Sequence, residues 1–348
     1  MTIKRSSQQE FEINLGDIHL EFGKLGINKI THPISYNIGN GAVSVDTDWI
    51  SPYQTGTVTN GIPNNDKGSV CGNHGTVGGG GFATANSFYN SITANGKEIN
   101  DDGIQRVFEK VSLITKNYVT NLANINLETG ERLRNDYIET VTYSFERNHM
   151  KVEVELEALE DFYIGWYMGL QHTRDNYRKD VYFTYDNEKS SLIQQTSSRI
   201  DSGTKNNSPN MNRITFRDFS DNSVHIYIDK DYGIGYTYIG ENDPICYLRE
   251  SYLKAYYHLV KNGNNLIVPK GQKVKYRGGY IFTKNNAENS TNVSVFWEDG
   301  KKKAYVDFRS IATENINYLE VEESINCSFG EGAITSTTNN AYAKVILN

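Results

Sequence analysis

Trp49, Tyr53, Asn73 and His74 are the residues whose types and spacing first suggest chemistry. They lie in one stretch running from Trp49-Ile50-Ser51-Pro52-Tyr53 through Cys71-Gly72-Asn73-His74-Gly75 and the glycines 78–81 to Asn95-Gly96-Lys97-Glu98-Ile99. Glycine at that density builds no core and holds no helix; it lets backbone bend sharply or pass close to something. The Asn-His pair between glycines is sterically open. A sugar offers C–H patches on its faces and hydroxyls on its rim, which flat rings and directional polar groups match. Trp49, Tyr53, Asn73, His74, Gln171 and His172 are therefore expected to bind carbohydrate, the glycines 72–81 folding the loop back over the strand that carries Trp49. The competing expectation is that Gly72 and Gly75 bracket a hairpin turn in which His74 only satisfies backbone groups. Trp166 and Tyr167 read more readily as packing.

The same residue types support an enzymatic reading. In β-elimination on a uronic acid polymer, Asn and Arg neutralise the carboxylate while His or Tyr removes the C5 proton, with no cofactor. Asn73, His74, Arg174 and Tyr257 are the candidates, although nothing in a sequence shows that they meet. A Cys71–His74 nucleophile is disfavoured. There is no Gly-x-Ser-x-Gly elbow, His-Glu-x-x-His, Walker lysine loop or dinucleotide glycine fingerprint. The histidines at 19, 32, 74, 149, 172, 225 and 258 show no metal-ligand spacing, so neither metal nor cofactor is expected.

The elements that must position these groups read as strands. Tyr137 to Phe145 and Met150 to Leu159 alternate apolar and polar residues around a turn at Glu146-Arg147-Asn148-His149. In the second, Lys151, Glu153, Glu155 and Glu157 share one face, a solvated one before it is a glycosidase pair. Further strands are expected at 162–170, 181–185, 213–219, 223–229, 235–239, 273–282, 293–297, 303–308 and 341–347. Residues 102–110 and 244–260 could hold short helices, the second equally a tyrosine-rich edge. Lys301-Lys302-Lys303 after Glu298-Asp299-Gly300 reads as a hairpin turn. The fold class is all-β, a large antiparallel β-sandwich, or two stacked units, with few short helices. One domain is expected over 1–292, with a subdivision near 197–212, and a small β module over 293–348.

Composition narrows the partners. With 24 Tyr against 14 Phe and 3 Trp, the chain favours strands with a wet face and surfaces for polar ligands. A net charge of -7 argues against nucleic acid, and no stretch reaches the ~18 apolar residues of a spanning helix, so no membrane insertion is expected. The first ten residues lack the apolar core of a signal peptide. Three scattered cysteines, an odd number, suit a reducing cytoplasm.

Trp49 to Tyr53, Gly72-Asn73-His74-Gly75, Thr84-Ala85-Asn86, Asn95 to Ile99, Leu159-Glu160-Asp161 and Tyr167-Met168-Gly169-Leu170-Gln171 together resemble a β-rich module of bacteriophage tail and minor structural proteins of Gram-positive hosts. The similar pattern covers residues 34–171, with an echo at Tyr276-Arg277-Gly278-Gly279-Tyr280-Ile281-Phe282. Such modules accompany SGNH-type hydrolase domains, whose serine block is missing here. The resemblance implies a virion or host-surface role and assigns no catalytic residues. The expected function is thus a tail or tail-fibre protein, made in the host cytoplasm, that binds a host surface polysaccharide beside other tail proteins and copies of itself. A polysaccharide lyase and a purely structural tail protein are the alternatives.

Overall fold

A computed structural model describes residues 1–39, 41–44, 48–100, 102–106, 109–173, 180–186, 199–249, 254–261, 263–290 and 292–348. The spine is a nine-stranded sheet in the order Lys97–Glu98, Ala85–Ala94, Lys110–Val119, Tyr137–Glu146, His149–Ala158, Lys273–Thr283, Ser223–Ile228, Arg213–Arg217, Asp180–Thr184. Its ladders are antiparallel. Period-2 alternation settles which face is which: along Tyr137–Glu146, every second residue from Tyr137 to Phe145 is buried and those between are half-buried. On the outer face Glu155 pairs with Lys273 at 2.7 Å and Lys275 at 2.6 Å, so these glutamates form a solvated ladder.

Three smaller sheets cover the inner face. A six-stranded sheet, built from residues 2–44 and Gly103–Arg106, sets Phe22 edge-on against Tyr143 and Phe145 at 5.3 and 5.8 Å. A second, around Tyr53–Thr59 and Phe162–Tyr167, stacks Phe162 on Tyr137 at 4.6 Å. The third contains Gln171–Thr173 and Lys254–Tyr257 and sets His172 against Phe216 at 4.8 Å. One continuous apolar cluster runs through all of them, which makes the body a large antiparallel sandwich.

Residues 293–347 form a four-stranded and a three-stranded sheet with a separate core around Val306, Ile334 and Val345. This module sits on the outer face of the nine-stranded sheet. Its contact is aromatic, with Phe296, Tyr305 and Tyr342 against Ile281 and Tyr227.

One expectation of helix is corrected, and of the two readings open within 244–260 the strand is the one found. Gly103–Arg106 is a strand on Thr2–Arg5. Cys246–Arg249 and Lys254–Tyr257 form an antiparallel pair in which Tyr247 and Tyr256 stand opposite and stack at 5.0 Å, a cross-strand pairing that favours sheet. The strand expected at 235–239 is instead a run of turns, Thr237 N–H donating to Ile234 O at 2.8 Å. Gly235 stands at φ +40°, where a side chain would strike the Lys230 carbonyl.

Candidate functional site

The glycine-rich segment folds as a clamped turn. Gly68–Val70 leads into Cys71 and Gly72, and His74 N–H returns to Cys71 O at 3.0 Å. Gly72 takes φ +54°, and a Cβ there would meet the Asp48 carboxylate. Buried Asn28 holds the turn: its amide donates to Gly72 O at 2.8 Å and His74 O at 2.9 Å, and its oxygen accepts from Thr84 and Ala85 N–H at 2.8 and 2.9 Å. Asp48 accepts the Asn73 N–H at 2.5 Å. Burial raises its carboxyl to about 7, against the lowering pull of the Lys254 charge. Asn73 and His74 themselves are half-buried, with His74 shifted down by burial and then by Lys254.

The other expected sugar ligands lie in the core. Trp49 is fully buried, 4.8 Å from Tyr280 and edge-on to Tyr36 at 5.4 Å. His172 is buried against Tyr36, whose hydroxyl lies 2.8 Å from Nε2. Gln171 is buried, and its carbonyl accepts from the Tyr280 hydroxyl at 2.8 Å. Tyr53 stacks on Tyr167 at 4.2 Å and donates to Glu139 at 2.6 Å. Trp49, Tyr53, Gln171 and His172 therefore present no face to a ligand: large rings on inward positions are consumed by packing before they can stack a sugar. Trp166 is half-buried.

Of the lyase set, Tyr257 is withdrawn from any substrate. Tyr257 is fully buried, its hydroxyl donates to Ile226 O at 2.8 Å, and burial holds its phenol well above the ordinary value. Arg174 lies outside the described residues. The sulfur of Cys71 points instead to Glu139, at 3.4 Å. Glu139 is a carboxylate inside the sandwich, bonded also by Asn117 at 2.8 Å, with its pKa raised by burial. None of the three cysteines is joined in a disulfide. Among the described residues no group of His, Cys, Asp and Glu could hold a metal.

A cleft of about 650 Å³ lies elsewhere, where the C-terminal module meets the outer face of the nine-stranded sheet. The module is fixed there by named contacts. Glu146 accepts from Asp299 and Gly300 N–H at 2.9 and 2.6 Å. His149 Nδ1 lies 3.1 Å from Trp297 O, which can only accept, so Nδ1 carries the proton and Nε2 accepts from the Tyr227 hydroxyl at 2.7 Å. Gly279 makes room for that phenol, because a Cβ would come within 2.8 Å of its oxygen. Deeper in, buried Arg213 pairs with Asp307 between the rings of Tyr305 and Tyr342, 3.8 and 4.7 Å away.

Around this floor the rim is polar. Arg277 lies over Tyr232 at 4.2 Å and binds Asp229 at 2.7 Å; Tyr232 in turn donates to Glu153 at 2.9 Å. Lys151 reaches Asp299 at 2.7 Å, and Lys230 reaches Asp231 at 2.9 Å. Burial alone would raise Glu298, but Lys344 at 2.7 Å and Lys303 at 2.9 Å hold it well below the carboxylate range. Tyr305 and Tyr342 are buried on Arg213, so what the cleft offers a ligand is a set of fixed donors and acceptors. Sequence reasoning did not find it. Its lining spans residues 142–344 in nine strands and their loops, and the only local signal was the pair Gly278-Gly279 within a strand.

No protein-family model matches the chain, and no curated protein matches it. Among solved structures it is similar to the GH36 alpha-galactosidase AgaB from Geobacillus stearothermophilus, with TM-score 0.48 and 8% identity over 82% of this chain and 41% of that one. It is also similar to the alpha-galactosidase from Lactobacillus brevis, with TM-score 0.45 and 9% identity over 79% and 39%. A third similarity, with TM-score 0.41 and 10% identity over 80% and 36%, is to the alpha-N-acetylgalactosaminidase NagBb from Bifidobacterium bifidum. The chain spans about two fifths of the length of these proteins.

Proposed function

We propose that the chain is a glycan-binding protein of a bacteriophage tail or tail fibre, and that the glycan sits in the cleft between the sandwich and the C-terminal module. One observation carries the binding half of this reading: a cleft of about 650 Å³ on which charged and hydrogen-bonding side chains converge, with the Tyr232 ring under Arg277 at its rim. Clefts between packed units that combine apolar faces with a few placed polar groups are the usual seats of ligands. The virion half rests on the resemblance of residues 34–171 to phage tail modules. Made in a host cytoplasm and assembled into a particle, such a protein meets host wall polysaccharide, other tail proteins and its own copies.

The test is retention of the purified protein on host cell walls. Arg277→Ala and Lys151→Ala remove half-exposed side chains and are expected to cut retention several-fold while leaving the melting temperature within a few degrees. Retention unchanged in both variants would move the site out of the cleft. The lyase alternative has its own readout, an ultraviolet-absorbing unsaturated product from acidic polysaccharides. None is expected, because the phenol of Tyr257 is buried and already bonded.

A further inference from the structure

Building on the glycan reading of the cleft, we propose that it selects uncharged, polyhydroxylated sugars and rejects uronate- or phosphate-bearing ones. The reason is how its charges are arranged. The lining brings five cationic side chains and six carboxylates together, a near balance tilted to the negative. Each of the cations already has a carboxylate at contact distance: Lys151 has Asp299, Arg277 has Asp229, Lys230 has Asp231, Lys344 has Glu298 and Arg213 has Asp307. An anionic ligand would meet only cations whose charge a carboxylate already compensates, and would feel the excess negative charge as it approached.

A neutral sugar faces no such repulsion. Each hydroxyl is both donor and acceptor, so two neighbouring hydroxyls can bridge a pair without breaking it, one donating to the carboxylate and the other accepting from the cation. The Arg277–Asp229 pair is built for this. Both Nε and one terminal nitrogen of Arg277 bind the same oxygen, Asp229 Oδ2, at 2.8 and 2.7 Å. The other terminal nitrogen is not engaged by that contact. The Tyr232 ring beneath holds the guanidinium plane, and both partners keep exposed surface, 51% for Arg277 and 28% for Asp229.

The experiment is a calorimetric titration of the whole chain with two sets of probes: neutral hexose and N-acetylhexosamine oligosaccharides on one side, an oligogalacturonate and glycerol phosphate on the other. The parent is expected to bind a neutral probe and to give no heat with either anion. Asp229→Asn leaves Arg277 without its counter-charge. That variant is expected to bind the neutral probe about fivefold or more weakly and to gain binding of the oligogalacturonate. A parent that binds the anionic probes as tightly as the neutral ones would overturn the selectivity and leave the glycan reading standing. Binding of no probe would remove both. If Asp229→Asn changes neither titration, the pair is not the contact and the inference falls.

Discussion

At the scale of single residues, the parity of a strand decides more than residue type. Tyr53 has the ring and hydroxyl of a sugar platform, yet it faces inward, where the ring packs on Tyr167 and the hydroxyl satisfies Glu139. Tyr53→Ala would open a large cavity and strip a donor from a buried carboxylate. A loss of about 3–5 kcal/mol is expected, read as a lower urea midpoint; a variant as stable as the parent would put the ring outside the core. Glu139 itself was legible, since it shares parity with Tyr137, Val141, Tyr143 and Phe145 in an otherwise apolar row. Its partners were not, because Tyr53, Cys71 and Asn117 come from positions 86, 68 and 22 residues away. Asp48 gives a pH test. Its carboxyl is raised to about 7 by burial, so the folded state holds a proton that the unfolded state loses near 4. The resulting stability is present below the unfolded value and drains away as pH rises from about 4 to about 7. Asp48→Asn should therefore gain on the parent between pH 4 and pH 8, by on the order of 4 kcal/mol in urea titrations. A gap that does not widen with pH would mean that Asp48 ionises freely.

At the scale of elements, local alternation and turn chemistry were readable and pairing between distant strands was not. Tyr137–Glu146 and His149–Ala158 appear close to where their alternation places them, joined through Arg147 in a left-handed conformation, φ 53°. The lysine run expected as a hairpin turn is instead the start of the strand Lys301–Phe308, and the turn falls just before it, with Asp299 and Gly300 both at positive φ as a two-residue hairpin requires. By contrast, the register that brings Tyr247 opposite Tyr256 has no local sign, and the stretch around them reads as helix or strand with equal ease. Adjacent aromatics in a polar strand were a missed signal. Phe88 and Tyr89 are both exposed because the ladder shifts register between Ser87 and Tyr89. The docking of the C-terminal strands was equally hidden, since it depends on Arg213 meeting Asp307 across 94 residues. Removing one member of a buried pair leaves the other charge uncompensated, at a cost of about 3–5 kcal/mol. In Asp307→Ala that cost falls on the module interface. Limited trypsin digestion is expected to cut after Lys284 and release the C-terminal fragment while the parent resists, and equal resistance would show that the aromatic contact alone holds the module.

At the scale of the whole molecule, the sandwich is large enough to swallow groups that smaller domains leave wet, and the price appears in acid. Of the seven histidines, five are buried with their pKa lowered chiefly by desolvation. His32, His149 and His258 fall to about 4, His172 to about 3, and His225 lies well below its ordinary value. A histidine whose folded pKa is depressed stays neutral in the native state while the unfolded chain protonates near pH 6.5. The unfolded state then binds more protons, so stability is fully present above about 6.5 and is lost as pH falls toward the folded values near 4. Asp48 acts in the opposite sense over much of the same range, but it is one group against five. Each histidine can cost up to about 1.4 kcal/mol per pH unit below its unfolded value. The combined slope of several kcal/mol per unit is comparable to the whole stability of an ordinary domain. Urea midpoints at pH 7, 6 and 5 should therefore fall steeply, with His149 and His225 loosening the C-terminal module as well as the sandwich, since their rings contact Trp297 O and Ser294 Oγ at its edge. A midpoint that stays level from pH 7 to pH 5 would mean that these imidazoles reach water, which the sandwich described here does not allow.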